Sequence, residues 1–79
     1  MARYYFHIRN DISVDDEEGQ DFPDFDAVRA KAEYYARELS VVSILEHGRL
    51  NLGHYISVTD DRGEEVLIVT FGDVVTVQS

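Results

Sequence analysis

The sequence predicts an α+β domain with element order ββαββ: an antiparallel sheet of two hairpins with one long amphipathic helix packed on one face. Three observations carry this. Apolar side chains alternate along Tyr4–Arg9 and again from His54 onward. Between these stretches, Phe25, Val28, Ala32, Tyr35, Ala36 and Leu39 recur at helical spacing. The turn signals Asn10-Asp11 and Asp60-Asp61-Arg62-Gly63 stand where each hairpin must reverse.

In the first strand, Tyr4, Phe6 and Ile8 point one way and Arg3, Tyr5, His7 and Arg9 the other. Aromatic and β-branched residues suit a half-buried pleated surface. Ile12–Val14 reads as a short return strand, and Asp15–Gln20 as a solvated loop with Gly19 free to take a positive φ. Phe22 is expected to anchor the chain back to the core. Asp24 is the expected N-cap, because its carboxylate can accept a first-turn N–H, and Asp26 suits the positive end of the helix dipole. The helix is expected over 25–46, stopping at Gly48. Arg29, Glu33 and Arg37 are spaced for an i,i+4 charge ladder on its exposed side.

His54–Thr59 is the next strand, with Tyr55, Ser57 and Thr59 opposing Ile56 and Val58. Glu65–Phe71 is apolar on both faces, which predicts a central or doubly covered strand. Gly72-Asp73 then reads as a break and Val74–Val77 as a short final extension. The expected core is Phe6, Ile8, Phe25, Val28, Ala32, Leu39, Ile56, Val58 and Phe71.

The chain has 79 residues, read as a single domain over 1–79, with 44% hydrophobic residues and no cysteine. Disulfides and thiolate metal sites therefore cannot supplement a small core, whereas oligomerisation can. The formal charge of −9 opposes nucleic-acid phosphates and anionic membrane surfaces, so neither is an expected partner. The amino-terminal residues contain no apolar run of signal-peptide length, and the expected compartment is the cytoplasm.

Eight of the sixteen carboxylates lie between Asp11 and Asp26 with no Lys or Arg among them. Within this segment Asp15, Asp16, Glu17 and Glu18 are the candidates for docking a basic protein or for binding a divalent cation through hard oxygen ligands. EF-hand spacing fails, because placing Gly19 at the sixth loop position puts Val14 at the first.

The segments Arg3-Tyr-Tyr-Phe-His-Ile-Arg9, Asp16-Glu-Glu-Gly19, Phe22-Pro-Asp-Phe25 with Ala27 and Arg29, and Val58-Thr-Asp-Asp-Arg-Gly63 with Phe71 together carry a resemblance. The chain resembles a small bacterial family, found mainly in alphaproteobacteria such as rhizobia and classed as a domain of unknown function. The resemblance covers nearly the whole chain and implies a compact stand-alone domain. It implies no activity, cofactor or catalytic residue.

Catalysis is not expected. Ser40, Ser43, Ser57 and Ser79 lack a nucleophile elbow, no glycine-rich loop cradles phosphate, and carboxylates in an open loop lack the burial that tunes a pKa. His7, His47 and His54 lack zinc-ligand spacing, although His7 and His54 could meet across the sheet, packing with Tyr5 and Tyr55. No metal or cofactor is therefore assigned. Arg3, Tyr5, His7 and Arg9 interleave basic and aromatic groups, but two arginines on so acidic a chain favour a protein contact over stacked bases.

The helix holds a second apolar set. Tyr34, Val41 and Leu45 share a face roughly opposite Phe25, Val28, Ala32 and Leu39, with Ile44 nearby. Either the helix is covered on two sides, as in self-association, or it kinks or ends near Ser40. The expected function is a non-catalytic protein-interaction module, most simply a homodimer, with Tyr34, Val41, Leu45, Tyr5 and Tyr55 as contact residues. The alternatives are a divalent-cation binder and an antitoxin-like regulator that neutralises a basic protein.

Overall fold

The computed structural model describes residues 1–78; Ser79, one of the serines considered above, lies outside them. The elements are β1 (Ala2–Arg9), β2 (Ser13–Val14), β3 (Gln20–Phe22), α1 (Phe25–His47), β4 (Tyr55–Thr59), β5 (Glu65–Thr70) and α2 (Phe71–Val74). The sheet is antiparallel with order β2-β1-β4-β5, and β3 pairs with the other half of the β1 edge that β2 occupies. This is the expected α+β arrangement of two hairpins and one helix, with one strand added.

β1 organises the sheet. Its register sets Phe6 opposite Val58 and Ile8 opposite Ile56, so the expected inward residues of the two strands share one face. α1 packs on that face, and Phe6, Val28, Ala32, Ala36, Ile56, Val58, Val69 and Phe71 form the buried core. Ile8, Phe25 and Leu39, expected inside, instead pack half-buried at its margin. Aromatic edges close the amino-terminal end: Phe6 meets Phe22 and Tyr35 edge-on, both at 5.5 Å between centroids.

α1 begins and ends as its caps require. Asp24 accepts the N–H of Ala27 at 2.8 Å, and Gly48 takes the left-handed conformation (φ 68°) while donating to the Ile44 carbonyl at 2.9 Å. The helix runs unbroken through Ser40, whose hydroxyl donates to the Ala36 carbonyl at 2.7 Å, so the kink is set aside. At 23 residues it is about 35 Å long. No helix among the described residues is long and apolar enough to cross a membrane.

Four further expectations are corrected. β5 is an edge strand, and Val66 and Ile68 on its outer side are exposed. A register shift between Val58 and Thr59 lets Glu65 pair with Thr59 and leaves Val66 over, a bulge that bends this edge. The chain beyond Thr70 is a helical turn, not a break and a strand: Thr70 and Asp73 form a reciprocal capping box, so Gly72 and Asp73 lie inside α2. The Arg29–Glu33–Arg37 ladder does not form. Arg29 lies over the Phe25 ring at 5.7 Å, and Arg37 donates to the Val74 carbonyl at 3.1 Å, tying α2 to α1. Finally, Gln20–Phe22, expected as the end of a loop and an anchor, is a paired strand.

Candidate functional site

The acidic segment does not stand clear of the fold. It crosses the free edge of β1, leaving as β2 and returning as β3, and between these strands the edge has no partner strand. Asp16 fills the gap. One carboxylate oxygen accepts the backbone N–H of Phe6 at 3.1 Å; the other accepts the N–H groups of Glu18 and Gly19, each at 3.1 Å. The backbone N–H of Asp16 in turn donates to His7 Nδ1 at 3.1 Å. Partial burial pushes the Asp16 carboxyl up, but the N–H groups of Gly19, Phe6 and Glu18, with His7 beside them, outweigh it and hold the group below the ordinary carboxylate value. Asp16 is thus a structural bracket.

Gly19 makes the return possible. Its φ is +69°, and a Cβ there would stand 2.8 Å from the Tyr5 ring. Tyr5, expected as an open contact residue, is therefore half-covered by the loop, and Tyr55 is half-buried too.

Several carboxylates that meet no cation along the chain meet one across it. Asp15 pairs with Arg9 at 2.8 Å and lies 3.7 Å from His7 Nδ1. Asp21 pairs with Arg3 at 3.1 Å, and Arg3 also donates to the Glu18 carbonyl at 2.7 Å. Asp11 reaches Arg49 at 3.4 Å and His54 at 3.5 Å. The arginines of the outer sheet face are thus spent on the chain's own acidic segment. Glu17, Glu18 and Glu38 make no ion pair among the described residues.

The histidines do not converge. His7 stands on the outer face with Nε2 2.9 Å from Thr59 Oγ1; with Nδ1 accepting from Asp16, the neutral ring carries its hydrogen on Nε2. His54 packs edge-on against Phe71 at 5.7 Å, on the core side. No group of three or more His, Cys, Asp or Glu side chains among the described residues is placed to hold a metal ion.

Two surface features remain. One is the carboxy-terminal end of α1, where Val41, Val42, Ile44 and Leu45 are all exposed, with Tyr34 exposed further back along the helix. The other is a groove of about 540 Å³ between α1 and the acidic segment, floored by Phe6, Ile8, Ile56 and Leu39 and rimmed by Glu17, Glu18 and Glu38. The sequence singles out the first through its helical spacing. The second went unrecognised, because Glu38 and the acidic segment come together only when α1 is laid on the sheet.

No curated protein and no solved structure matches the chain. Residues 3–72 match the family described as Domain of unknown function (DUF6894), so that a five-stranded sheet edged by an acidic segment and crossed by one long helix is here the form of a chain that belongs to that family.

Proposed function

We propose that this chain is a small non-catalytic interaction module of the bacterial cytoplasm, and that it self-associates as a homodimer through the outer side and carboxy-terminal end of α1. One observation carries the reading: over the last two turns of α1, Val41, Val42, Ile44 and Leu45 are 40–80% exposed and point in several directions around the axis. A helix end apolar on several sides favours being covered, and covering side chains that are already partly buried contributes a corresponding part of the about 1.5–3 kcal/mol gained on burying a fully exposed one. Tyr34, 58% exposed, extends the same surface toward the middle of the helix.

A second copy is the occupant that a domain of 79 residues most needs, because a chain of this size buries a smaller fraction of its surface by itself than a larger domain does. Two-fold symmetry lays one such patch on its own copy. Tyr5 and Tyr55, half-buried, are the lesser contact residues. A non-catalytic role accords with the hydroxyls of Ser40 and Ser57, which donate to Ala36 and Glu65 at 2.7 and 2.6 Å. The divalent-cation reading loses support, since Asp16 is engaged by three backbone donors and Asp15 by Arg9.

An antitoxin-like role, docking a basic protein, is favoured by one separate observation: Glu17, Glu18 and Glu38 border an apolar groove. Sedimentation velocity over a range of concentrations tests self-association. A dimer is expected at micromolar protein, and a monomer throughout overturns it.

A further inference from the structure

α1 lies over β4 and β5, with β3 touching one flank, and leaves the β2 side of the inner sheet face uncovered. The groove occupies that gap. It does not end at Leu39. A second concavity of about 240 Å³ shares Ile8, Val14 and Leu39 with the first and continues beside Val42 to His47. Together they form one trough beside α1 from Tyr35 to His47, about 18 Å at the helical rise. A trough this long suits a stretch of chain better than a compact small molecule.

Its chemistry is graded. The floor is apolar, with Phe6, Ile8, Ile56, Leu39 and Val14. The walls are acidic on both sides, with Glu17 and Glu18 on the loop and Glu38 on α1. The other two loop carboxylates that face it are spoken for: Asp15 by Arg9 at 2.8 Å, Asp16 by its three backbone donors. In this half of the trough Glu17, Glu18 and Glu38 remain to attract a cation; in the other half Asp11 is paired with Arg49, and Glu46 lies 3.9 Å from His47. A divalent ion would leave the apolar floor unused, and a purely apolar segment would leave the glutamates beside it partly desolvated and unpaired.

We infer that the trough between α1 and the acidic segment docks a basic amphipathic segment of a partner protein. The partner's apolar side chains lie on Ile8, Val14 and Leu39, and its Lys or Arg side chains reach Glu17, Glu18 and Glu38. This is helix- or strand-in-groove recognition, in which apolar anchors supply affinity and flanking charges supply register and rate. It rests on the reading of the chain as an interaction module and borders the self-association surface, because Val42 lines the trough as well as the exposed end of α1, and Glu38 stands one helical turn from both Tyr34 and Val41.

The test is fluorescence anisotropy with a labelled amphipathic peptide of Leu and Lys, titrated with the full chain at low and at physiological salt. The wild type is expected to bind at micromolar concentration, more weakly as salt rises. Glu17→Gln/Glu18→Gln/Glu38→Gln is expected to weaken binding by about tenfold or more and to flatten its salt dependence. The charge-matched control Asp26→Asn/Asp61→Asn/Glu64→Gln removes the same charge elsewhere and is expected to bind nearly as the wild type does. A peptide with Ser in place of Leu is expected to lose binding. Amide shifts in the wild type should move at Ile8, Val14 and Leu39.

Equal weakening in the control would reduce the attraction to net charge and overturn the proposal. Equal binding of the Ser peptide, no binding at low salt, or shifts confined to Val41 and Leu45 would each overturn it too. Repeating the titration on the uncharged pair Tyr34→Ser/Leu45→Ser separates the two readings without adding carboxylates beside Glu38: retained binding by a monomer supports the trough while removing self-association from it, and binding lost with the dimer overturns the trough as a site of the single chain.

Discussion

The carboxylate of Asp16 accepts the backbone N–H of Phe6 at 3.1 Å, ten residues back along the chain, at the point of the β1 edge that neither β2 nor β3 covers. A side chain thus completes a sheet edge. The acidic segment is thereby held in place as one wall of a groove.

Asp16→Ala removes the acceptor for the N–H groups of Phe6, Glu18 and Gly19 together. Leaving such donors unpaired costs about 1–3 kcal/mol. Asp16→Asn is expected to fall between Ala and the wild type, because an amide presents one acceptor oxygen where the carboxylate presents two. Urea unfolding measures both; a wild-type midpoint for Asp16→Ala would remove the bracket from the account.

The same contacts set a pH dependence. The Asp16 carboxyl is held low against its burial by the N–H groups of Gly19, Phe6 and Glu18; the Asp60 carboxyl is held low first by the N–H of Glu64. A carboxyl depressed in the folded state stays ionised there while its unfolded counterpart, near pH ~3.9, already binds a proton. Its contribution is therefore fully present above the unfolded value and is lost as pH falls through the folded one. Thermal unfolding from pH 7 to pH 3 is expected to show a steeper acid loss for the wild type than for Asp16→Asn. Parallel curves would contradict this.

Gly19→Ala is expected to destabilise by more than about 1 kcal/mol, since an L-residue in the left-handed region carries that cost before any clash. The clash adds to it, because the new Cβ meets the Tyr5 ring at 2.8 Å. Gly63→Ala provides the comparison: its φ is +79° with nothing within 4 Å, so it bears the backbone term alone. Equal losses in the two variants would show that the Tyr5 contact relaxes without cost.

Core truncations should separate by burial. Phe71, 1% exposed, is expected to lose about 3–5 kcal/mol on replacement by Ala. Leu39 lies at the core margin beside the groove, and Leu39→Ala should cost less than the roughly 2–5 kcal/mol of a fully buried leucine. Denaturant melts of both variants check the order, and a reversed order would contradict the assignment of the groove floor.

Local chemistry was legible in the sequence, and long-range pairing was not. Asp24 and Gly48 mark the helix ends because capping acts within one turn. The alternation in β1 and β4 gives their inner faces because side-chain direction is a local property of a strand. By contrast, Glu65–Thr70 looked central because it is apolar on both sides, yet periodicity reports which faces are apolar and not what lies beside them. β3 was missed because Gln20-Asp21-Phe22 is short and half polar; it exists through pairing with residues far back along the chain. Arg3 and Asp21 meet only through that pairing, and Arg9 and Asp15 through the β1–β2 pairing, so a run without basic residues looked unpaired. The exposed apolar set Tyr34, Val41 and Leu45 was readable because these residues share helical spacing, whereas the groove needs three separate elements brought together.

Salt should act oppositely on the two proposed contacts. Each copy carries a formal charge of −9, so screening lowers the repulsion between copies, and the dimer should tighten between low and physiological ionic strength. Sedimentation at the two salt concentrations checks the sign. A dimer that weakens with salt would point to an electrostatic contact in place of the apolar end of α1.

The most direct test is light scattering coupled to size exclusion on the wild type and on Tyr34→Glu/Leu45→Glu, with circular dichroism to confirm folding. Both side chains are exposed, at 58% and 80%, so the variant is expected to fold. The account predicts a wild-type dimer and a folded monomeric variant. A monomeric wild type, or a variant that remains a dimer, would contradict it.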